Sequence, residues 1–367
     1  MEEVSDAIMS YSKKSDKSDD VLLIGPLPPP LGGATVSFAN LVHTLVNRGI
    51  TLTVVDTVKI RSALRLFITV FKHPARAVML NASTPALVYV GLAISIACRM
   101  SGKRLVLRPF GGALANQYTT RNIAFRYIVR YLTLQHTMLL QTKSMVDFFA
   151  NIVPTGNILW FPTSRTIQST ISTESEPTKF NKREKFRLLF MGQVTRNKGI
   201  DLFLALTKRF DSNKCEFVVA GPLMSDLSID LIESQGAIYA GVIPHDKVQN
   251  FMSAFDVLVF PTFYEGEGYP GIVLEAFSAG IPVIASDWMH IPELVQDNIN
   301  GFLFPPKDFE KLNDLVAQLV KDPAMQNRLR AGAQASAHYF SSEKWNGDFI
   351  LECLGVNQKT AMNNIEI

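Results

Sequence analysis

Glu267 and Glu275 stand eight positions apart in a segment that changes character between them. Asp256-Val-Leu-Val-Phe260 reads as a strand, it breaks at Pro261, and Pro270-Gly271 opens what reads as a helix. Glu267 then belongs to the loop at a strand's carboxyl end and Glu275 to the first turns of the following helix, so both carboxylates overlook one crevice. In doubly wound α/β domains such crevices hold ligands, and the unbonded N–H groups of a helix start suit a phosphate or diphosphate. Carboxylates repel phosphate and accept hydrogen bonds from hydroxyls. Two of them beside a diphosphate position point to a sugar and a ribose, and a sugar nucleotide carries both.

The frame for such a site is an α/β chain with a parallel sheet. Val21-Leu-Leu-Ile-Gly25 leads through Pro28-Pro-Pro-Leu-Gly-Gly33 into an amphipathic stretch ending at Arg48-Gly49, and Thr51 to Asp56 resumes a strand, which makes a βαβ unit. Further strands are expected at Val78 to Asn81, Arg104 to Arg108, Met138 to Gln141 and Ile158 to Phe161. A second series begins at Phe186 and continues through Cys215 to Ala220, Ala237 to Ala240, Asp256 to Phe260 and Pro282 to Ala285. With 367 residues the length favours two domains. The expected organisation is a disordered polar tail over 1–20, a first Rossmann-like domain over 21–165, a Ser/Thr/Glu/Lys-rich linker over 166–185, a second Rossmann-like domain over 186–335, and a C-terminal helix over 336–367 that returns to the first domain.

Composition narrows the setting. The 47% hydrophobic and 10% aromatic content excludes a disordered chain. Cys98, Cys215 and Cys353 lie far apart with no Cys-x-x-Cys or His pairing, so neither a disulfide framework nor a zinc site is indicated, and a reduced cytoplasmic setting is expected. The apolar run Ala86 to Cys98 is too short for an unaided membrane span, and its small residues read as a buried helix. The net charge of +3 hides a division. Residues 21–165 hold 15 Lys and Arg against Asp56 and Asp147, whereas residues 181–367 hold 17 basic and 23 acidic side chains. A half so basic meets something anionic. No nucleic-acid recognition motif is present, so an anionic membrane surface or a phosphorylated lipid is the expected partner.

Glu267-Gly-Tyr-Pro-Gly-Ile-Val-Leu-Glu275, continuing as Ala-Phe-Ser-Ala-Gly-Ile-Pro-Val-Ile-Ala and followed by Pro292-Glu293-Leu-Val and Asn300-Gly-Phe-Leu, resembles the signature block of retaining family 4 glycosyltransferases. The resemblance implies the GT-B fold, two Rossmann-like domains facing across a cleft, and transfer of a sugar from a nucleotide donor with retention of anomeric configuration. On that reading Glu267 contacts the transferred sugar, Glu275 accepts from the ribose hydroxyls, and Gly268, Tyr269, Gly271, Ile272 and Val273 offer backbone groups. Lys198-Gly199 matches the family's Lys-Gly, placing Lys198 on the diphosphate, where a cation offsets charge that builds in the transition state. The family usually has arginine directly after the first glycine of that loop; this chain has Gln193, and Arg196 is the candidate replacement. Gly32 and Gly33 sit where the family has its glycine loop, with no side chains to keep a phosphate or sugar from the backbone. Many relatives have His-Gly where this chain has Phe110-Gly111, so no catalytic histidine carries over and Arg108, with Gly111 and Gly112, is the cleft candidate. No Asp-x-Asp cluster suggests a metal, and none is expected; the nucleotide sugar is a co-substrate and no cofactor is implied.

The resulting expectation is a retaining hexosyltransferase-type enzyme acting on a lipid-linked or other saccharide acceptor in surface polysaccharide assembly, held peripherally on the inner face of the plasma membrane. Two alternatives stay open: a nucleotide-sugar epimerase of the same fold, and a non-catalytic nucleotide-sugar-binding subunit, which Gln193 and the absent histidine favour.

Overall fold

The computed structural model describes residues 8–11, 21–29, 32–60, 62–167, 185–224 and 226–356. The chain divides into two units, one formed by Met1–Ser164 with Ser342–Ile367 and the other by Arg165–Ser341.

In the first unit, strands β1 (Ile8–Tyr11), β2 (Val21–Gly25), β3 (Leu52–Asp56), β4 (Ala77–Ala82), β5 (Arg104–Pro109), β6 (Thr137–Leu140) and β7 (Ile158–Trp160) form one sheet in the order β1-β3-β2-β4-β5-β6-β7. All pairs are parallel except β1 with β3. Helices α1 (Gly33–Asn47), α2 (Ala63–Lys72), α3 (Thr84–Met100), α4 (Leu114–Thr120), α5 (Ile123–Gln135) and α6 (Lys143–Ile152) make the crossovers. Because successive strand residues face opposite ways, β2 feeds two cores. Leu22 and Ile24 pack with Leu66, Val70, Leu87, Ile94 and Leu132 of α2, α3 and α5, while Val21 and Leu23 pack with Phe38 and Leu41 of α1. Trp345, Ile350, Leu351 and Leu354 complete this second cluster from the far end of the chain.

The second unit holds a six-stranded, wholly parallel sheet in the order β10-β9-β8-β11-β12-β13. Its strands are β8 (Phe186–Met191), β9 (Cys215–Ala220), β10 (Ile238–Tyr239), β11 (Val257–Phe260), β12 (Val283–Ser286) and β13 (Gly301–Phe304). They alternate with α7 (Ile200–Leu206), α8 (Ile229–Ser234), α9 (Val248–Met252) and α10 (Gly271–Ser278), and α11 (Phe309–Lys321) and α12 (Pro323–Tyr339) follow the last strand. A π-helical stretch, Glu343–Phe349, then leads to α13 (Ile350–Leu354) in the first unit.

Four expectations meet a different structure. Residues 8–11 of the expected tail form β1, registered from Ile8 opposite Val55 to Tyr11 opposite Leu52; residues 1–7 and 12–20 lie outside the described residues. Of the expected linker, 168–184 likewise lies outside them. Arg165 groups with the second unit because its N–H donates to the Phe340 carbonyl and its side chain pairs within that unit, and the last crossing falls at Ser341/Ser342 because α12 runs to Tyr339. Finally, α3 is buried on one side only: Tyr89, Ile96 and Met100 are exposed.

Candidate functional site

The strand order of the second unit reverses at β8. The chain steps outward from β8 to β9 and β10, then returns to place β11 on the other flank of β8. That reversal opens a crevice beyond the carboxyl ends of β8 and β11, the position where doubly wound sheets receive ligands. The loops after these two strands carry Lys198 and Glu267.

The loop after β8 turns through Gly192 and is stopped by Thr195, whose side chain accepts from the Lys198 N–H and caps the short 3-10 turn Arg196–Lys198. Gly199 has φ +84°, and a Cβ there would overlap the Pro261 carbonyl oxygen, so the backbone of this loop runs directly against the loop after β11. The Phe263 N–H donates to the Asn197 carbonyl at 2.9 Å and binds the two loops together. Across this junction the Lys198 ammonium donates to Glu267 Oε2 at 2.5 Å, and Thr262 Oγ1 donates to the same oxygen at 3.0 Å. Lys198 Nζ also lies 4.8 Å from the centre of the Tyr264 ring. Glu267 is buried and Lys198 is half-buried.

Glu275 lies one turn into α10 and is buried. Its Oε1 accepts from Arg165 Nε at 2.6 Å and its Oε2 from Gln249 Nε2 at 3.2 Å, while Gln249 also donates to the Thr166 carbonyl. Both side chains of the Arg165–Glu275 pair are about one-twentieth exposed, at 6% and 5%. Gly271 admits the arginine, since a Cβ there would collide with the guanidinium. Pro270 precedes the helix and leaves its first N–H groups unbonded within the helix, beside Gly268 and Tyr269. Tyr269 is buried, with its hydroxyl donating to Glu293 Oε2 at 2.5 Å, so its phenol is already engaged. Ile272 and Val273 follow in the first turn.

Arg196 is not brought to this cluster. Its guanidinium bonds Asp201 at 2.9 Å and Asp226 at 3.0 Å, both exposed, and it lines a surface pocket with Leu204, Lys208 and Leu231. The two carboxylates hold it protonated above the ordinary arginine range. Gln193 is exposed. Lys198 is thus the side-chain cation brought to Glu267, and Arg165 the one brought to Glu275.

In the first unit the reversal lies between β2 and β4. Gly32 and Gly33 are exposed at the start of α1, where Gly32 exchanges hydrogen bonds with the Thr35 hydroxyl and a Cβ on Gly33 would meet nothing. Arg108, the cleft candidate, is buried. It donates to Ser37 Oγ at 2.8 Å and Asn81 Oδ1 at 3.4 Å, and its guanidinium lies 4.6 Å from the centre of the Phe161 ring. Arg108 therefore ties the end of β5 to β4 and α1, and the glycines beside it, Gly111 with φ +82° and Gly112, carry the chain past. Among the described residues no group of three His, Cys, Asp or Glu side chains converges as a metal site would require.

Arg165, Gln249 and Thr262 escaped the sequence reading. Thr262 alone had a local signal, since it directly follows the β11-terminating Pro261.

Residues 172–336 match the family described as glycosyl transferases group 1. A putative teichuronic acid biosynthesis glycosyltransferase of Bacillus subtilis, TuaC, is 27% identical over 195 residues, covering 51% of this chain and 46% of that protein. The chain spans less than half the length of the curated relatives it matches. Among solved structures, sucrose-phosphate synthase from Thermosynechococcus elongatus superposes with a TM-score of 0.71 at 15% identity, covering 92% of this chain and all of that one. Anabaena HepE in complex with UDP gives a TM-score of 0.70 at 15% identity with the same coverage. The fold is GT-B, built of two Rossmann-like units.

Proposed function

We propose that this chain is a retaining glycosyltransferase that binds a nucleotide sugar on its second unit and passes the sugar to a hydroxyl of a lipid-linked saccharide in surface polysaccharide assembly. The observation that carries the reading is the placement of Glu267, Lys198 and Glu275 around one strand-order reversal. Similar proteins support it: HepE was solved with UDP and with UDP-glucose, and TuaC is described as a putative teichuronic acid biosynthesis glycosyltransferase.

In this mechanism Glu275, held by Arg165 and Gln249, accepts from the ribose hydroxyls. The α10 N–H groups and Lys198 face the diphosphate, whose charge grows as the bond from the anomeric carbon to the phosphate oxygen breaks. Glu267, fixed by Lys198 and Thr262, accepts from hydroxyls of the sugar. The acceptor oxygen bonds the anomeric carbon on the face the phosphate leaves, and its proton passes to the departing phosphate oxygen. The products are a glycoside with retained configuration and a nucleoside diphosphate, and no protein base is consumed. The basic first unit receives the acceptor at an anionic membrane.

Thermal-shift screening of nucleotide sugars identifies the donor, because a ligand bound to the native state raises the melting temperature. With that donor, Glu267→Ala and Glu275→Ala should each lower kcat/KM by about tenfold to a hundredfold, the loss of a charged hydrogen bond worth roughly 1.5–3 kcal/mol. Wild-type kinetics in both would remove the proposal, and conversion of the donor alone to an epimeric sugar would replace it with the epimerase reading.

A further inference from the structure

All nine large apolar side chains exposed among the first unit's described residues lie on three helices. On α2 they are Leu64, Ile68 and Phe71, spaced so that they share one side of the helix. On α3 they are Tyr89, Ile96 and Met100, and on α5 Ile123, Tyr127 and Leu134. Leu64 and Ile123 are each 69% exposed and Tyr89 75%, so these are not the margins of buried residues. The three helices pack side by side, α3 touching both α2 and α5, and their inner faces fill one core against the same face of the sheet. Their outer rows accordingly form one apolar surface. A monomeric domain rarely leaves such a surface uncovered.

The charges on this surface have one sign. From Thr57 to Val146 the chain contains no Asp or Glu and 13 Lys and Arg. Arg65 and Lys72 on α2, Arg99 on α3, and Arg126 and Arg130 on α5 are exposed between the apolar rows. We infer that the outer face of α2, α3 and α5 is a docking surface for an anionic lipid bilayer, with the apolar rows entering the headgroup boundary and the basic side chains resting on lipid phosphates. The three-helix face deepens the acceptor side of the function proposed above and rests on it for its purpose. A second copy of the chain fits less well, because a two-fold contact would press this all-basic face against itself. Nucleic acid supplies the charge but nothing for nine apolar side chains to enter. No helix among the described residues is long and apolar enough to cross a membrane, so the contact is one of lying on the surface rather than spanning.

Co-sedimentation of the full chain with vesicles tests this, without donor or acceptor present. The expected result is binding to equimolar phosphatidylcholine and phosphatidylglycerol, little binding to phosphatidylcholine alone, and at least about tenfold weaker binding at high salt. The combined variant Leu64→Ser, Ile123→Ser, Tyr127→Ser and the combined variant Arg65→Gln, Lys72→Gln should each lose most of the binding. Both should keep the wild-type melting temperature and donor-induced shift, since every substituted side chain is exposed. Three results would overturn the inference: no binding to anionic vesicles at low salt, equal binding to both vesicle types, or undiminished binding by the apolar variant. Self-association of the wild-type chain that the apolar variant abolishes would reassign the face to a second copy. Vesicle binding by a chain that no nucleotide sugar stabilises would leave the face and remove the proposed function. Transfer to a detergent-solubilised acceptor without vesicle binding would do the reverse.

Discussion

Glu275 is the most tightly determined side chain of the site, and the residue that determines it comes from 110 positions away. Two buried charges stabilise a fold little as a pair, but removing one strands the other, which typically costs about 3–5 kcal/mol. Arg165→Ala should therefore lower stability and weaken donor binding together, whereas Arg165→Lys restores charge without the planar guanidinium and should recover stability better than affinity. Gly271→Ala separates geometry from charge. The added methyl occupies the guanidinium's place against the helix start, so calorimetry should show donor affinity falling at least about tenfold with both charges still present. Unchanged affinity in Gly271→Ala would mean that Arg165 does not orient Glu275. On the proposed function Lys198 faces the diphosphate. With its ammonium fixed by Glu267 and the α10 N–H groups nearby, positive potential is available without a bound cation, so transfer should continue in excess chelator. Complete loss that magnesium or manganese restores would show that a metal supplies that potential instead.

Among the helices, α3 and α5 are joined by a polar contact that sets a pH dependence. Ser95 on α3 is fully buried with its hydroxyl 2.6 Å from Nε2 of His136, the residue that ends α5. Burial, aided by the nearby Arg99 charge, pushes the His136 imidazolium down to about 4 from an ordinary 6.5. The unfolded chain then takes up a proton below pH 6.5 that the folded chain refuses until about pH 4. Stability of the first unit is full above that window and falls through it as pH is lowered, by on the order of 2 kcal/mol once solvent screening of the part-exposed ring is allowed for. Thermal melts at neutral and mildly acidic pH should show this loss, and His136→Gln should flatten it; equal slopes in the two proteins would place the titration elsewhere. Strands such as Val21–Gly25 and, in the second unit, Val257–Phe260 were legible because parallel strands buried on both faces are short continuous apolar runs. The exposed side of α3 was not, because Ala86 to Cys98 is apolar all round and its sequence carries no polar face to mark which residues meet water. Strand β13 went unread for another reason: Gly301 leaves only three side chains to show a pattern. Glu267, Lys198 and the α10 start were legible as local spacing, whereas Arg165 and Gln249 meet Glu275 only through tertiary folding and have no local signal at all.

At the scale of the whole molecule the chain crosses between the units twice, at Ser164/Arg165 and Ser341/Ser342, and the two crossings affect the units unequally. The second unit is a single continuous stretch with its own core and all of Lys198, Glu267, Glu275, Arg165 and Gln249. The first unit is interrupted, and its second core depends on residues beyond the last crossing. Trp345, Ile350, Leu351 and Leu354 are each less than 10% exposed there, packed with Phe38, Leu41 and Phe161. At ~1.5–3 kcal/mol for each fully buried large apolar side chain, these four supply roughly 6–12 kcal/mol. A whole domain has only about 5–15 kcal/mol. Arg48 adds a further tie, bonding Asp348 and the Glu343 carbonyl. A chain ending at Ser341 should therefore keep a folded second unit that still binds the donor, while its first unit loses cooperative unfolding and exposes apolar surface. The stretch from Arg165 to Ser341 expressed alone should fold and be stabilised by the same nucleotide sugar as the full chain. Calorimetric scans of the three proteins decide it: a first-unit transition that survives loss of residues 342–367 would show that the returning segment covers this core without holding it together.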